Sequence, residues 1–152
     1  MTSANFKRMQ ESAGERLALL LECYHRLTGE ILAADADALW NATCAVLAHD
    51  RSVPPEFFYA NARTLSLFKR SADTMIGLPS HLSAEPDARE ERAAMFAKLE
   101  AKDIVTGYSG IRVAADGSRF RIVDAAIWNL RDASGTLHGQ AARIEAVEML
   151  SR

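Results

Sequence analysis

Apolar residues in the first part of the chain recur at intervals of three and four positions. This spacing predicts an amphipathic helix over residues 13–33, and Ser12 and Glu15 have the spacing of a capping box at its start. The apolar stripe of such a helix must be covered, either by its own domain or by a second copy of the chain. The stripe consists of Leu17, Leu20, Leu21, Tyr24, Leu27 and Ile31.

Residues 37–50 fit two interpretations. Asp35 or Asp37 is placed to cap a short helix that runs through Trp40. Residues 44–47 suit a short buried strand equally well, because hydrophobic periodicity does not separate helix from strand over so few positions. Both interpretations stay open at this stage.

An aromatic segment at residues 56–60 is typical of a short strand. Asn61 follows it, and asparagine is a favoured N-cap for the short helix that Leu65, Leu67 and Phe68 predict. For a plain N-cap, the exchange Asn61→Ala is expected to cost ~1 kcal/mol of stability.

The second half of the chain contains one long helix and then three strands. Residues 83–102 form the helix, with Pro86 suited to its first turn and the acidic Glu90 and Glu91 near its positive end. An Asp-Gly turn and a second polar turn then separate runs of apolar and β-branched residues. The predicted strands of this antiparallel meander are 105–113, 120–130 and 137–147.

Composition narrows the class of protein. Of 152 residues, 49% are apolar and 25% charged, which is typical of a globular domain. The net charge of −2 argues against a general nucleic-acid binder. Two cysteines exclude a disulfide scaffold and a four-cysteine zinc site. With no apolar run near ~18 residues and no signal-peptide core, we expect a soluble, cytoplasmic protein that does not contact a membrane.

The order of these elements resembles a PAS domain, and more specifically the MEKHLA family of PAS-like domains. The likeness covers about residues 17–146. The hexapeptide that names the family in plants is absent, as are a homeodomain and a leucine zipper, so the chain resembles a free-standing bacterial-type member. The segments that carry the resemblance are 39–42, 47–50, 58–61, 78–86, 108–112, 120–125, 127–130 and 139–142.

The resemblance implies an α+β fold, in which a five-stranded antiparallel PAS-like sheet has helices on one face and an N-terminal amphipathic helix outside. We divide the chain into an N-terminal helical extension, 1–36, and a PAS-like domain, 37–152. The family implies a non-enzymatic sensory or regulatory module that binds a small molecule. It also implies signalling through a homodimer, formed by the N-terminal helix and the sheet, or through a separate partner.

The residue pattern assigns no cofactor and no metal. Cys23 and His25 are two positions apart on a predicted helix, so they do not face one another. Neither Cys23 nor Cys44 opens a helix in the way that flavin photochemistry in PAS relatives requires. The long helix has no histidine that would bind haem.

Polar residues on apolar strand faces are the better candidates for a site. By the period of two, Asp124 interrupts a face of the second strand that also carries Trp128, and Gln140 on the third strand is expected nearby. In PAS domains the inner sheet face lines the ligand pocket. We therefore predict that Asp124, Trp128, Gln140 and Tyr108 bind the ligand.

Three other interpretations remain. The polar residues would form a self-satisfied network in a solid core. Alternatively, the protein is a small-molecule enzyme in which Asp124 acts as acid or base, with His138 as a remote second titrating group. Finally, it is a purely structural dimerisation module with a filled core.

Overall fold

The computed structural model describes residues 3–84 and 89–150. Its helices are α1 (Ala4–Ala13), α2 (Arg16–Thr28), α3 (Ala36–Trp40), α4 (Ala62–Phe68), α5 (Ala72–Met75) and α6 (Arg89–Lys102), and a 3₁₀ turn spans Ser80–Ser83. Its strands are β1 (Ala45–His49), β2 (Phe57–Ala60), β3 (Ile104–Val113), β4 (Arg119–Arg131), β5 (Leu137–Ile144) and β6 (Ala146–Met149). No helix within the described ranges is long and apolar enough to cross a membrane.

The N-terminal segment forms two helices where the sequence predicts one. Gly14, with a φ of 54°, separates α1 from α2, and Gly29 ends α2 in the left-handed conformation with a φ of 78°. Ser12 lies in the last turn of α1, and its hydroxyl donates to the Phe58 carbonyl at 2.7 Å. The predicted capping box is therefore wrong, because the Ser12 oxygen bonds to the sheet instead of a helix end.

The apolar stripe of the N-terminal helices is covered within one chain. Helix α1 packs on β2 and α2 packs on β4. Leu17, Leu20 and Tyr24 are buried there, whereas Ile31 lies beyond the end of α2 and is 73% exposed. The homodimer stays a prediction, but this stripe does not support it because the sheet of the same chain already occupies it.

The sheet is antiparallel, with the strand order β2-β1-β5-β4-β3. The predicted third strand of the meander breaks at Glu145 into β5 and β6. Strand β5 pairs with the second half of β4, and β6 pairs with the first half. The predicted α+β fold is confirmed, and β6 adds a sixth strand to the five expected.

Both interpretations of residues 37–50 are correct for different parts of the segment. The Asp35 carboxylate caps α3 by accepting from the Ala38 amide at 2.9 Å. Four residues, 41–44, separate α3 from the buried strand β1, which begins at Ala45. The segment therefore contains both a short helix and a short strand.

Asn61 holds α3 and α4 to the sheet. Its side-chain oxygen accepts from the amide of Thr64, which confirms the predicted N-cap of α4, and also from the amide of Val46 at 3.0 Å. Its Nδ2 donates to the carbonyls of Leu39 and Cys44, both at 3.0 Å. Since the residue is fully buried, this amide joins α3, β1 and α4 as well as capping a helix.

Candidate cavity on the inner face of the sheet

A cavity of about 50 Å³ lies between the sheet and the segment that contains α4, the 3₁₀ turn and α6. We call the sheet face on this side the inner face, and the face that α2 covers the outer face. One water needs ~10–15 Å³ of such space, so the cavity has room for a small molecule. Its walls are mainly apolar, and they include the rings of Phe57, Phe68 and Phe96. Its polar lining residues are His49, Ser83, Arg112 and Gln140.

Strand β4 contains an extra residue in its middle. Between the pairs at Ala125 and Ile122, β4 advances three residues while β3 advances two. Asp124 has a φ of 56° at this point. A bulge of this kind reverses the alternation of side chains beyond it. Ile122 and Ile127 therefore line the same cavity although they are an odd number of positions apart.

Strand β3 has a matching irregularity. Between Val105 and Tyr108 it advances three residues while β4 advances two, and Gly107 has a φ of 71°. A Cβ atom placed on Gly107 would lie 3.8 Å from Asp124 Oδ1. The two bulges are therefore neighbours, and each restores the pairing that the other shifts.

The four predicted ligand residues occupy different places. Gln140 lines the cavity. Trp128 is on the outer face, where its indole N–H donates to the Leu20 carbonyl at 3.3 Å. Asp124 is exposed at the bulge. The prediction that Asp124, Trp128 and Gln140 share a face is wrong, because the bulge changes the phase of β4 between the first two. Tyr108 is buried behind the lining, in contact with Arg112.

Gln140 is the cavity end of a polar chain. Its Nε2 donates to Asn129 Oδ1 at 2.9 Å, and Asn129 Nδ2 donates to Asp103 Oδ1 at 2.9 Å and to the Leu99 carbonyl at 3.1 Å. Arg131 Nε also donates to Asp103, at 2.8 Å. Hydrogen bonds from Arg131 and Asn129 hold the pKa of the Asp103 carboxyl below its usual value. The chain therefore joins the cavity to the end of α6.

Arg112 brings a positive charge to the cavity wall. Its Nη2 donates to Tyr108 Oη at 3.2 Å, and its Nη1 donates to the Ile111 carbonyl at 3.0 Å. Gly110 lies between Tyr108 and Arg112 on the strand, and a methyl group there would lie 2.9 Å from Tyr108 Oη and 3.3 Å from Arg112 Nη1. The absence of a side chain at Gly110 thus allows the guanidinium to reach back to Tyr108.

His49 contributes an aromatic and polar surface. Its ring packs edge-on against Phe96, at 5.7 Å between centroids, and against Phe57 at 6.5 Å. Its Nδ1 lies 3.1 Å from the Asp50 carbonyl oxygen. This contact fixes the ring at the edge of the cavity.

His138, the remote titrating candidate, is engaged elsewhere. Its Nε2 lies 2.8 Å from Asp132 Oδ2, and hydrogen bonds from His138 and Ser134 hold the pKa of Asp132 well below its usual value. The next residue, Gly139, pairs with Leu130, which is about 20 Å along β4 from Asp124 at the usual rise per residue. Among the described residues, no three His, Cys, Asp or Glu side chains are grouped for metal binding.

Sequence reasoning missed Arg112, His49 and Asn129. Simple alternation along β4 places the side chain of Asn129 on the sheet face opposite that of Gln140. Only the bulge, which the positive φ at Asp124 marks, brings the two side chains to the same face. A usable signal was the buried amide in the apolar run 127–130, because a polar side chain there requires a partner. A second usable signal is the run of tyrosine, glycine and arginine at alternate positions 108, 110 and 112, which share one strand face.

The MEKHLA domain model matches residues 15–149 of the chain. The chain belongs to the MEKHLA domain family. This match covers residues 15–36 of the first predicted division and residues 37–149 of the second. No curated protein matches the MEKHLA chain in sequence.

Solved structures place this MEKHLA domain among PAS and light-oxygen-voltage folds. A PAS domain of a protein from Colwellia psychrerythraea has a TM-score of 0.62 at 16% identity, over 76% of this chain and 92% of that one. A light-oxygen-voltage domain studied with a flavin analogue has a TM-score of 0.58 at 20% identity, over 76% and 84%. An RNA-binding light-oxygen-voltage receptor has a TM-score of 0.61 at 19% identity, over 70% of this chain and 30% of the receptor. At these identities the likeness concerns the fold alone.

Proposed function

We propose that this protein is a non-enzymatic sensory module that binds a small molecule in the inner cavity. The observation that carries the proposal is the mixed lining: apolar walls with a few polar groups of different chemistry at Arg112, Gln140, Ser83 and His49. Ligand sites in proteins have this composition, with polar groups that orient a mainly apolar-bound ligand. The PAS-like fold agrees with a sensory role.

Three alternatives have less support. An acid–base role for Asp124 requires a second titrating group beside it, and His138 is bound to Asp132 near the far end of β4. A structural module with a filled core has no use for the buried polar lining. The self-satisfied network accounts for Gln140 and Asn129, but it does not include Arg112.

The proposed signal starts at the 3₁₀ turn. Ala84, which follows this turn, forms an antiparallel bridge with Arg112, and Ser83 lines the cavity. A ligand that contacts Arg112 would therefore change the position of Ala84 and of the 3₁₀ turn before it. We propose that a second copy of the chain or a separate partner protein detects this change. The division of the chain at residue 36 belongs to the same proposal, with 1–36 as a cover for the sheet.

Cavity filling tests the proposal. Ala142 lines the cavity, and Ala142→Val adds two methyl groups, about the volume available. Ala146→Val is the matched control, because Ala146 is exposed on β6. Native mass spectrometry of untreated protein and thermal unfolding with a panel of small acids, amides and alcohols would measure binding.

We expect the wild type and Ala146→Val to bind a panel member, and Ala142→Val to bind it at least tenfold more weakly. Equal binding by both variants would contradict a site in the cavity. A wild type that carries no extra mass and responds to no panel member would favour the filled-core module.

A further inference from the structure

Arg112 carries a buried positive charge in the inner layer. The residue is only 8% exposed. Within the ranges 3–84 and 89–150, no Asp or Glu carboxylate forms an ion pair with it. Both of its hydrogen-bond acceptors, Tyr108 Oη and the Ile111 carbonyl, are neutral.

A buried cation without a counter-charge destabilises a fold, since burial removes the water that stabilises the charge. A guanidinium has five N–H donors, and the two described hydrogen bonds use two of them. The remaining donors suit the two oxygens of a carboxylate, which arginine binds in a bidentate geometry. The chemistry of Arg112 therefore indicates an anionic ligand group.

The rest of the cavity restricts what is attached to that group. The apolar lining of the cavity includes Ile122, Ile127, Met95 and Phe68. This surface suits an aliphatic chain, and the described lining contains no Lys and no second Arg for a second acid group. At ~10–15 Å³ of such space for each water, a volume of about 50 Å³ holds about three to five waters. An acid of two or three carbon atoms, with four or five non-hydrogen atoms, is of this size.

We infer that the cavity binds a short aliphatic monocarboxylate, with the carboxylate on Arg112 and the alkyl end against Ile122 and Ile127. This inference rests on the proposed function and names the ligand class for the same site. Tyr108 is a positioning residue, because it holds the guanidinium without lining the cavity.

The test compares acetate, propionate and butyrate with propionamide and with nitrate, at one pH and one ionic strength. Binding is measured by calorimetry and by the shift in thermal midpoint for wild type, Arg112→Gln, Tyr108→Phe and Arg121→Gln. Arg121 is the matched control, since it is an exposed arginine on the neighbouring strand β4.

We expect propionate to bind the wild type and Arg121→Gln alike, and Arg112→Gln at least tenfold more weakly, as the loss of a charge-assisted hydrogen-bond pair predicts. Tyr108→Phe should weaken propionate a few-fold and leave propionamide unchanged. If Arg112→Gln does not fold, the inference is still tested by Tyr108→Phe, for which the ratio of propionate affinity to propionamide affinity should fall.

Other outcomes distinguish a wrong ligand class from a wrong binding site. Equal binding of propionamide and propionate would overturn the carboxylate assignment and leave the proposed cavity site intact. Binding of nitrate as tight as that of propionate would overturn the monocarboxylate in favour of a general anion site. Propionate binding that Ala142→Val does not weaken would overturn the cavity site itself, together with this inference.

Discussion

The outer and inner faces of the sheet differ in packing, and two neighbouring residues of β4 show this most clearly. Trp128 points to the outer face, where its ring meets Tyr24 edge-on at 4.8 Å and its N–H bonds to α2. Ile127 points to the inner face and borders the cavity. One face is packed by a large aromatic pair and the other leaves space beside a buried cation.

Within one strand, the outer face therefore contributes mainly to stability and the inner face to ligand binding. The outer layer gains stability from apolar area and close packing, which tolerate no free volume. The inner layer gives up part of that packing and positions its helices with buried amides such as Asn61 and Asn129. Substitutions on the two faces should therefore affect different measurements.

The largest effect is expected from Trp128→Ala. Loss of this buried ring should lower the free energy of unfolding by about 3–5 kcal/mol. Chemical denaturation would measure it, with Ile127→Ala as the comparison. Ile127→Ala should cost about 2–3 kcal/mol, because the site already borders free volume, and should alter ligand binding. Similar losses of stability with unchanged binding in both variants would remove the distinction between the faces.

Asn61→Ala should have the next largest effect, at about 2–4 kcal/mol. The sequence-based value of ~1 kcal/mol is too small, because the substitution removes a helix cap and also leaves the Val46 amide and the Leu39 and Cys44 carbonyls without their partner. Asp35→Ala, at the N-cap of α3, is the control and should cost ~1 kcal/mol. If chemical denaturation showed equal losses of unfolding free energy for Asn61→Ala and Asp35→Ala, Asn61 would act only as a helix cap.

Asp124 provides a smaller and opposite effect. Its φ of 56° is costly for a residue with a side chain, so Asp124→Gly should raise stability by about 0.5–1 kcal/mol, whereas Asp124→Ala should lower it by a similar amount. Thermal unfolding would measure both. Neither variant should change the binding of a cavity ligand, and loss of binding in Asp124→Gly would restore the ligand role predicted from the sequence.

The smallest effect concerns pH. Because the folded-state pKa of Asp103 lies below its value of ~3.9 in the unfolded chain, its contribution is present above about pH 4 and is lost as pH falls through the folded pKa. Asp103→Asn should cost ~0.5 kcal/mol at pH 7, since the pair with Arg131 is partly exposed.

Urea unfolding between pH 2.5 and pH 7 would test this. Stability of the wild type should fall more steeply than that of Asp103→Asn below pH 4. Glu22→Gln, an exposed carboxylate on α2, is the control. Parallel acid profiles for wild type and Asp103→Asn would contradict the linkage.

Elements with a strong local signal were predictable from the sequence. The hairpin at Asp116-Gly117, the cap at Asn61 and the strands of the meander are set by local turn and capping chemistry. Helix α1 was not predicted, because the apolar stripe on which the predicted helix was based begins only at Leu17. The site was partly missed because the face of each side chain along a strand is counted from the residue before it. The one extra residue at Asp124 therefore reverses the predicted face of every later residue in β4. Gln140 lines the cavity, and its role in ligand binding stays a prediction.

The paired bulges at Asp124 and Gly107 also determine which length changes this sheet tolerates. A deletion of Asp124 alone would restore simple alternation in β4, turning Trp128 toward the cavity and Ile127 toward α2. A deletion of Gly107 alone would shift half of β3 against an unchanged neighbour. The simultaneous loss of both would keep β3 paired with β4, but it would still shift one half of β4 by one residue against β5 or β6. A length change at this point should therefore be tolerated only when β3, β4 and the β5–β6 junction change together.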